Sequence, residues 1–74
     1  MSKFTPRMSR AHRLTWEQRI ALHAARTTEG LTRAQLAVAL GVDPSTVARW
    51  EEGVSYPSPM ALAALRARFP GVGL

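Results

Sequence analysis

Helix punctuation recurs along this chain at intervals too short for anything but small helices. Thr15-Trp16-Glu17-Gln18 has the form of a capping box, in which the Thr hydroxyl takes the amide of Gln18 and Gln18 reaches back. Thr32-Arg33-Ala34-Gln35 repeats it. Asp43-Pro44 and Ser58-Pro59 each place a capping residue before a proline, whose missing N–H costs nothing at a first helical position. Stops alternate with these starts: Gly30, Gly41, Gly53 and finally Pro70 followed by Gly71-Val72-Gly73. Between the marks, apolar residues recur at helical rather than alternating spacing. The expectation is an all-α domain of four helices with short connections. The first helix runs from Trp16 to Glu29, with Trp16, Ile20, Ala21, Leu22 and Ala25 as its apolar set. Leu36, Ala37 and Leu40 form the stripe of the second. Val47 and Trp50 face inward from the third, over 44–52. Leu62, Leu65 and Phe69 form the stripe of the fourth. Regular structure is expected to end at Pro70.

Length and charge narrow the possibilities further. Seventy-four residues hold one small core, which leaves little room for a deep catalytic pocket. Without cysteine the chain has neither disulfides nor thiolate metal sites, and it suits a reducing cytoplasm. No apolar run approaches the roughly 18 residues of a membrane span, so no membrane association is expected. The net charge of +5 is uneven. Residues 1–14 carry Lys3, Arg7, Arg10 and Arg13 and no acid, while residues 15–74 carry six arginines against five acids. The chain thus divides into a basic, mobile arm (1–14), a folded domain (15–70) and a short tail (71–74). A basic arm beside a near-neutral domain points either to a polyanion or to mere solubilisation.

Residues 33–52 have the composition of two short helices meeting at a tight turn. Ala37 is small where the helices would cross, Gly41 can adopt the left-handed turn conformation, and Val42 would plug the turn into the core. With Val47 and Trp50 inward, the opposite face of the third helix presents Ser45, Thr46, Ala48, Arg49 and Glu52.

The stretch GLTRAQLAVALGVDPSTVARWEEGVSYPS, residues 30–58, resembles the helix-turn-helix of the Cro and CI phage-repressor family. The resemblance runs from Leu22 to about Phe69. It rests on Gly30-Leu31-Thr32, Leu36-Ala37, Leu40-Gly41-Val42, Ser45-Thr46-Val47, Trp50-Glu51, Gly53 and Pro57. It implies a lambda-repressor-like fold and a transcriptional regulator whose third helix enters the DNA major groove. Three departures stand out. Arg33 replaces the Gln that often opens the family's second helix on a phosphate. Asp43 and Pro44 occupy a place where the family often reads bases. Pro70 and the glycines after it make the family's fifth, dimerising helix unexpected.

Base reading then falls to Ser45, Thr46 and Arg49, with Pro44 offering at most apolar contact to a thymine methyl. Arg49 is the leading candidate, because arginine pairs bidentately with guanine. Ser45 and Thr46 could instead only support the helix start. Arg33 is disfavoured by the dipole of the helix it opens, which an anionic partner would explain and a tolerant tertiary setting would also allow. Ser55 and its amide lie in the loop where the family contacts phosphates, and Tyr56 is as well suited to packing beside Pro57. Arg7, Arg10 and Arg13 would hold phosphates from the arm. The resemblance pairs Arg26 with Glu51 as a structural ion pair between the first and third helices. Trp50 belongs to the core. Trp16 would close the core or lie on a dimer surface, the first being favoured. Asp43 is assigned to capping.

His12 and His23 lie in separate segments with no ligand pattern between them, so no metal is expected. No nucleophile, paired acid or phosphate-cradling loop forms a recognisable set, so neither an enzyme nor a cofactor is expected. The expected partner is double-stranded DNA, bound as a homodimer, with a protein partner possible. Two other readings remain. One is a protein-interaction module of the same fold, antitoxin-like or binding a nuclease or RNA polymerase. The other is an architectural or recombination accessory protein.

Overall fold

A computed structural model describes residues 13–74. Four α-helices follow one another: α1 (Trp16–Thr28), α2 (Arg33–Leu40), α3 (Pro44–Glu51) and α4 (Pro59–Arg68), closed by a single 3-10 turn (Pro70–Val72). No strand occurs among the described residues. Arg7, Arg10 and His12 lie outside them.

The helix starts follow directly from the sequence. Both capping boxes form completely, Thr15 with Gln18 and Thr32 with Gln35. The Ser58 hydroxyl accepts the amide of Ala61 at 3.2 Å, and Pro59 opens α4. Asp43 is the exception. It holds the N-cap position of α3, but its side chain makes no capping bond. Its backbone carbonyl instead accepts from the amides of Thr46 (3.0 Å) and Val47 (3.4 Å).

Gly41 ends α2 at φ +74°, a conformation that a side chain would strain. The chain therefore turns within the three residues Gly41 to Asp43, and α2 and α3 share the most extensive contact of any helix pair. The Val42 amide returns to the Ala37 carbonyl at 3.0 Å, and Ala37 itself is fully buried where the helices meet. α1 packs across α3, and α4 touches α2.

The core comprises Leu14, Leu22, Leu36, Ala37, Val47, Trp50, Ala61, Leu65 and Phe69. Four of its features differ from the sequence expectation. Trp16 and Ile20 are not core residues; they are 62% and 50% exposed. On a helix that turns about 100° per residue, Ile20 and Leu22 lie on nearly opposite sides, and Leu22 has taken the inward one. Leu14 supplies the apolar surface missing from that end and is buried. In α4 the buried stripe is Ala61, Leu65 and Phe69, four residues apart each time, and Leu62 is only half-buried. Regular structure also continues past Pro70 as the 3-10 turn, which packs against α1. Val72 and Leu74 lie against the core. Arg66 donates to the Leu74 carbonyl at 2.8 Å and Gln18 to that of Gly73 at 3.3 Å.

Candidate nucleic-acid interface

α3 has two distinct faces. Val47, Trp50 and Glu51 point into the molecule. Pro44, Ser45 and Arg49 are exposed on the other side, and Thr46 and Ala48 are half-buried at its edge. Of the face that the spacing singles out, Ser45, Arg49 and Glu52 are exposed, whereas Thr46 and Ala48 are only partly so. Arg49 takes no part in the ion pairs among the described residues, which use Arg26, Arg33 and Arg68. Arg13 is exposed just before the buried Leu14.

The inner face of α3 is fixed by charge as well as by packing. The Glu51 side chain is 2% exposed and meets three cationic or titratable groups. Arg26 donates to it twice, Nε to Oε2 at 2.6 Å and Nη2 to Oε1 at 2.9 Å. Arg33 Nε donates to Oε1 at 3.0 Å. His23 Nδ1 lies 3.5 Å from the same oxygen. Arg26 also donates through Nη1 to the Leu31 carbonyl at 2.9 Å, which ties in the loop before α2. No buried side-chain polar atom among the described residues is left without a partner. Burial by itself pushes the Glu51 carboxyl up, but the hydrogen bonds from Arg26 and Arg33, the charge of Arg26 and the contact with His23 outweigh it and hold it below its ordinary value. The hydrogen bond to Glu51 correspondingly raises Arg26, against the lowering effect of its burial.

Arg33 is therefore not a free cation at the start of α2. Its unfavourable place on the helix dipole is compensated from within the chain, by Glu51 and by Glu52, whose Oε2 lies 3.4 Å from Arg33 Nη1. Ser55 is half-buried, and its amide turns back to the Arg49 carbonyl at 3.4 Å, beside the stronger Val54 bond of 2.8 Å to the same oxygen. The Ser55 amide is thus already engaged at the end of α3. Tyr56 packs against the core and Pro57 is buried.

Arg19 emerges as a further residue that orients α3. Its guanidinium lies 4.9 Å from the centre of the Trp16 ring and its Nε is 3.4 Å from the Glu51 carbonyl, at the negative end of the α3 dipole. Gly53, at φ +75°, lets it lie there, since a Cβ at that position would be 2.7 Å from Arg19 Nη1. Only the three-residue step from Trp16 to Arg19 is visible in sequence; the meeting with α3 is tertiary. Trp16, Arg19, Ile20, His23, Arg33 and Glu51 line an open cavity of about 260 Å³. No cluster of three potential metal ligands occurs among the described residues.

A family model described as helix-turn-helix matches residues 22–73. The chain belongs to this Cro/CI-type helix-turn-helix family. No curated protein and no solved structure matches it. In this helix-turn-helix domain, α2 and α3 are the two helices of the motif, and the matched span includes the 3-10 turn behind them. The family is one of DNA-binding domains. No described helix is long and apolar enough to cross a membrane.

Proposed function

We propose that this protein is a sequence-specific DNA-binding regulator that represses transcription by occupying an operator. The observation that carries this reading is the outward face of α3. It presents Pro44, Ser45 and Arg49, with Thr46 at its edge, while three residues on the other side lock the helix to the core. Arg49 reads a guanine edge in the major groove, and Ser45 and Thr46 contact bases or backbone near the helix start. Arg33, the Ser55 hydroxyl, Arg13 and the arginines of the arm hold phosphates, which fix orientation without reading sequence. One module of this size spans few base pairs. The operator is therefore bound by a homodimer on two half-sites about one DNA turn, roughly 34 Å, apart.

The test is binding of the full chain to the DNA upstream of its own gene and to a scrambled duplex across a salt series. Preference for the upstream DNA supports repression. Equal binding to both favours the accessory role, and no binding even at low salt favours a protein-interaction module. One observation favours that last reading: residues 15–74 carry almost no net charge, and Glu51 and Glu52 already engage a cation of the motif.

A further inference from the structure

Arg33 bridges two acids of very different character. Glu51 is buried, is already gripped by Arg26, and holds Arg33 Nε at 3.0 Å. Glu52 is 56% exposed in its side chain and meets Arg33 Nη1 at the longer distance of 3.4 Å. The first contact anchors the guanidinium. The second is the kind of exposed, imperfect ion pair that water and salt readily loosen. Arg33 Nη2 donates to no described residue.

We propose that Glu52 is an intramolecular stand-in for a DNA phosphate, a latch on Arg33 that has to be exchanged for the backbone when the domain binds. The inference rests on the reading of the α2 start as facing phosphate. Glu51 keeps Arg33 in place throughout, so the exchange needs only the outer Nη1 contact to move. Glu52 opposes binding twice, by occupying a donor and by placing a negative charge beside the incoming phosphate. Phosphate contacts carry no base information, so the penalty falls equally on all DNA sequences. Its consequence is weaker lodging on bulk DNA, with discrimination left to the outward residues of α3.

The test uses the full chain and a fluorescently labelled duplex of scrambled sequence, with binding followed by anisotropy over a salt series. Glu52→Gln should bind roughly two- to fivefold more tightly at low salt, and the gain should shrink as salt rises. In an Arg33→Gln background the same substitution should give no gain. Where Arg33→Gln does not fold, Arg33→Lys serves, since an ammonium lacks the planar fork that spans both acids and should cut the gain sharply. A wild-type protein that binds, with Glu52→Gln no tighter or equally improved without Arg33, overturns the latch and leaves the DNA reading intact. Binding by Glu52→Gln alone supports both. Failure of every variant to bind DNA at low salt overturns both.

Discussion

Arg26 and Glu51 join α1 to α3 through a two-pronged bond, with Nε–Oε2 at 2.6 Å and Nη2–Oε1 at 2.9 Å. Both residues are buried. The pair adds a directional constraint to the packing of α3 on α1, because a bidentate guanidinium–carboxylate bond has a fixed geometry. It stands behind the outward face of α3 and touches none of the exposed residues that face carries.

Breaking this pair from one side should cost stability steeply. Arg26→Met leaves the Glu51 carboxylate buried with only Arg33 and His23 beside it, and the Leu31 carbonyl loses its donor. The expected loss is about 3 kcal/mol, the lower end for a broken buried pair because Arg33 remains. Replacing both partners, as Arg26→Met with Glu51→Met, should cost less than Arg26→Met alone. Urea denaturation of the three proteins measures the difference.

The same carboxylate sets an acid limit. The folded protein holds Glu51 below its ordinary value of 4.5. The stabilisation is therefore complete above that value and is lost as pH falls through the lower folded one. Glu51→Gln should lower stability at neutral pH and make it less dependent on pH below 4.5. Thermal melts of both proteins from neutral to strongly acidic pH show this as two curves that converge toward acid. Parallel curves would contradict it.

How much of this was legible beforehand differs residue by residue. Thr15, Thr32 and Ser58 cap as expected because capping is a local matter, decided within three residues. Val47 and Trp50 face inward as their three-residue spacing predicts, because they form the one large apolar stripe of α3. Trp16 and Ile20 depart from the expectation because two stripes compete on α1, and hydrophobicity alone does not say which one meets the other helices. Leu22, Ala25 and Arg26 form the inward side. The Arg26–Glu51 pairing was implied by family resemblance, not by spacing. The Arg33 contacts with Glu51 and Glu52 join residues 18 and 19 positions apart, and no local rule exposes them.

The arm should contribute affinity without preference. Residues 1–12 contain Lys3, Arg7 and Arg10, and each cation that meets a phosphate releases counterions. Deleting them should weaken binding to upstream and scrambled DNA alike and reduce the salt slope by up to about 3. Arg49→Ala should do the opposite. It should remove about 1–3 kcal/mol of discrimination between the two DNAs, and a loss of slope near 1 would accompany it only if Arg49 also meets a phosphate. Anisotropy titrations at several salt concentrations separate the two effects. An arm deletion that abolished preference would reverse the assignment.

Gly53 and Gly41 allow the role of Arg19 to be isolated. Both have positive φ, +75° and +74°, so alanine at either incurs a similar left-handed strain of roughly 1–2 kcal/mol. Their surroundings differ. A Cβ on Gly41 meets nothing within 4 Å, whereas one on Gly53 would be 2.7 Å from Arg19 Nη1 and 2.9 Å from its Cζ. The obstructing group is the far end of a flexible side chain, so it can swing away, but it then leaves both the Trp16 ring and the Glu51 carbonyl. Gly53→Ala should therefore destabilise the protein more than Gly41→Ala by about the worth of those contacts, on the order of 1 kcal/mol. In an Arg19→Ala background the obstructing guanidinium is gone, and the two glycine substitutions should cost nearly the same. Denaturant midpoints for the two single substitutions, with and without Arg19, measure the coupling. A Gly53 excess that survives removal of Arg19 would place the constraint in the backbone and deny Arg19 its part in holding the end of α3.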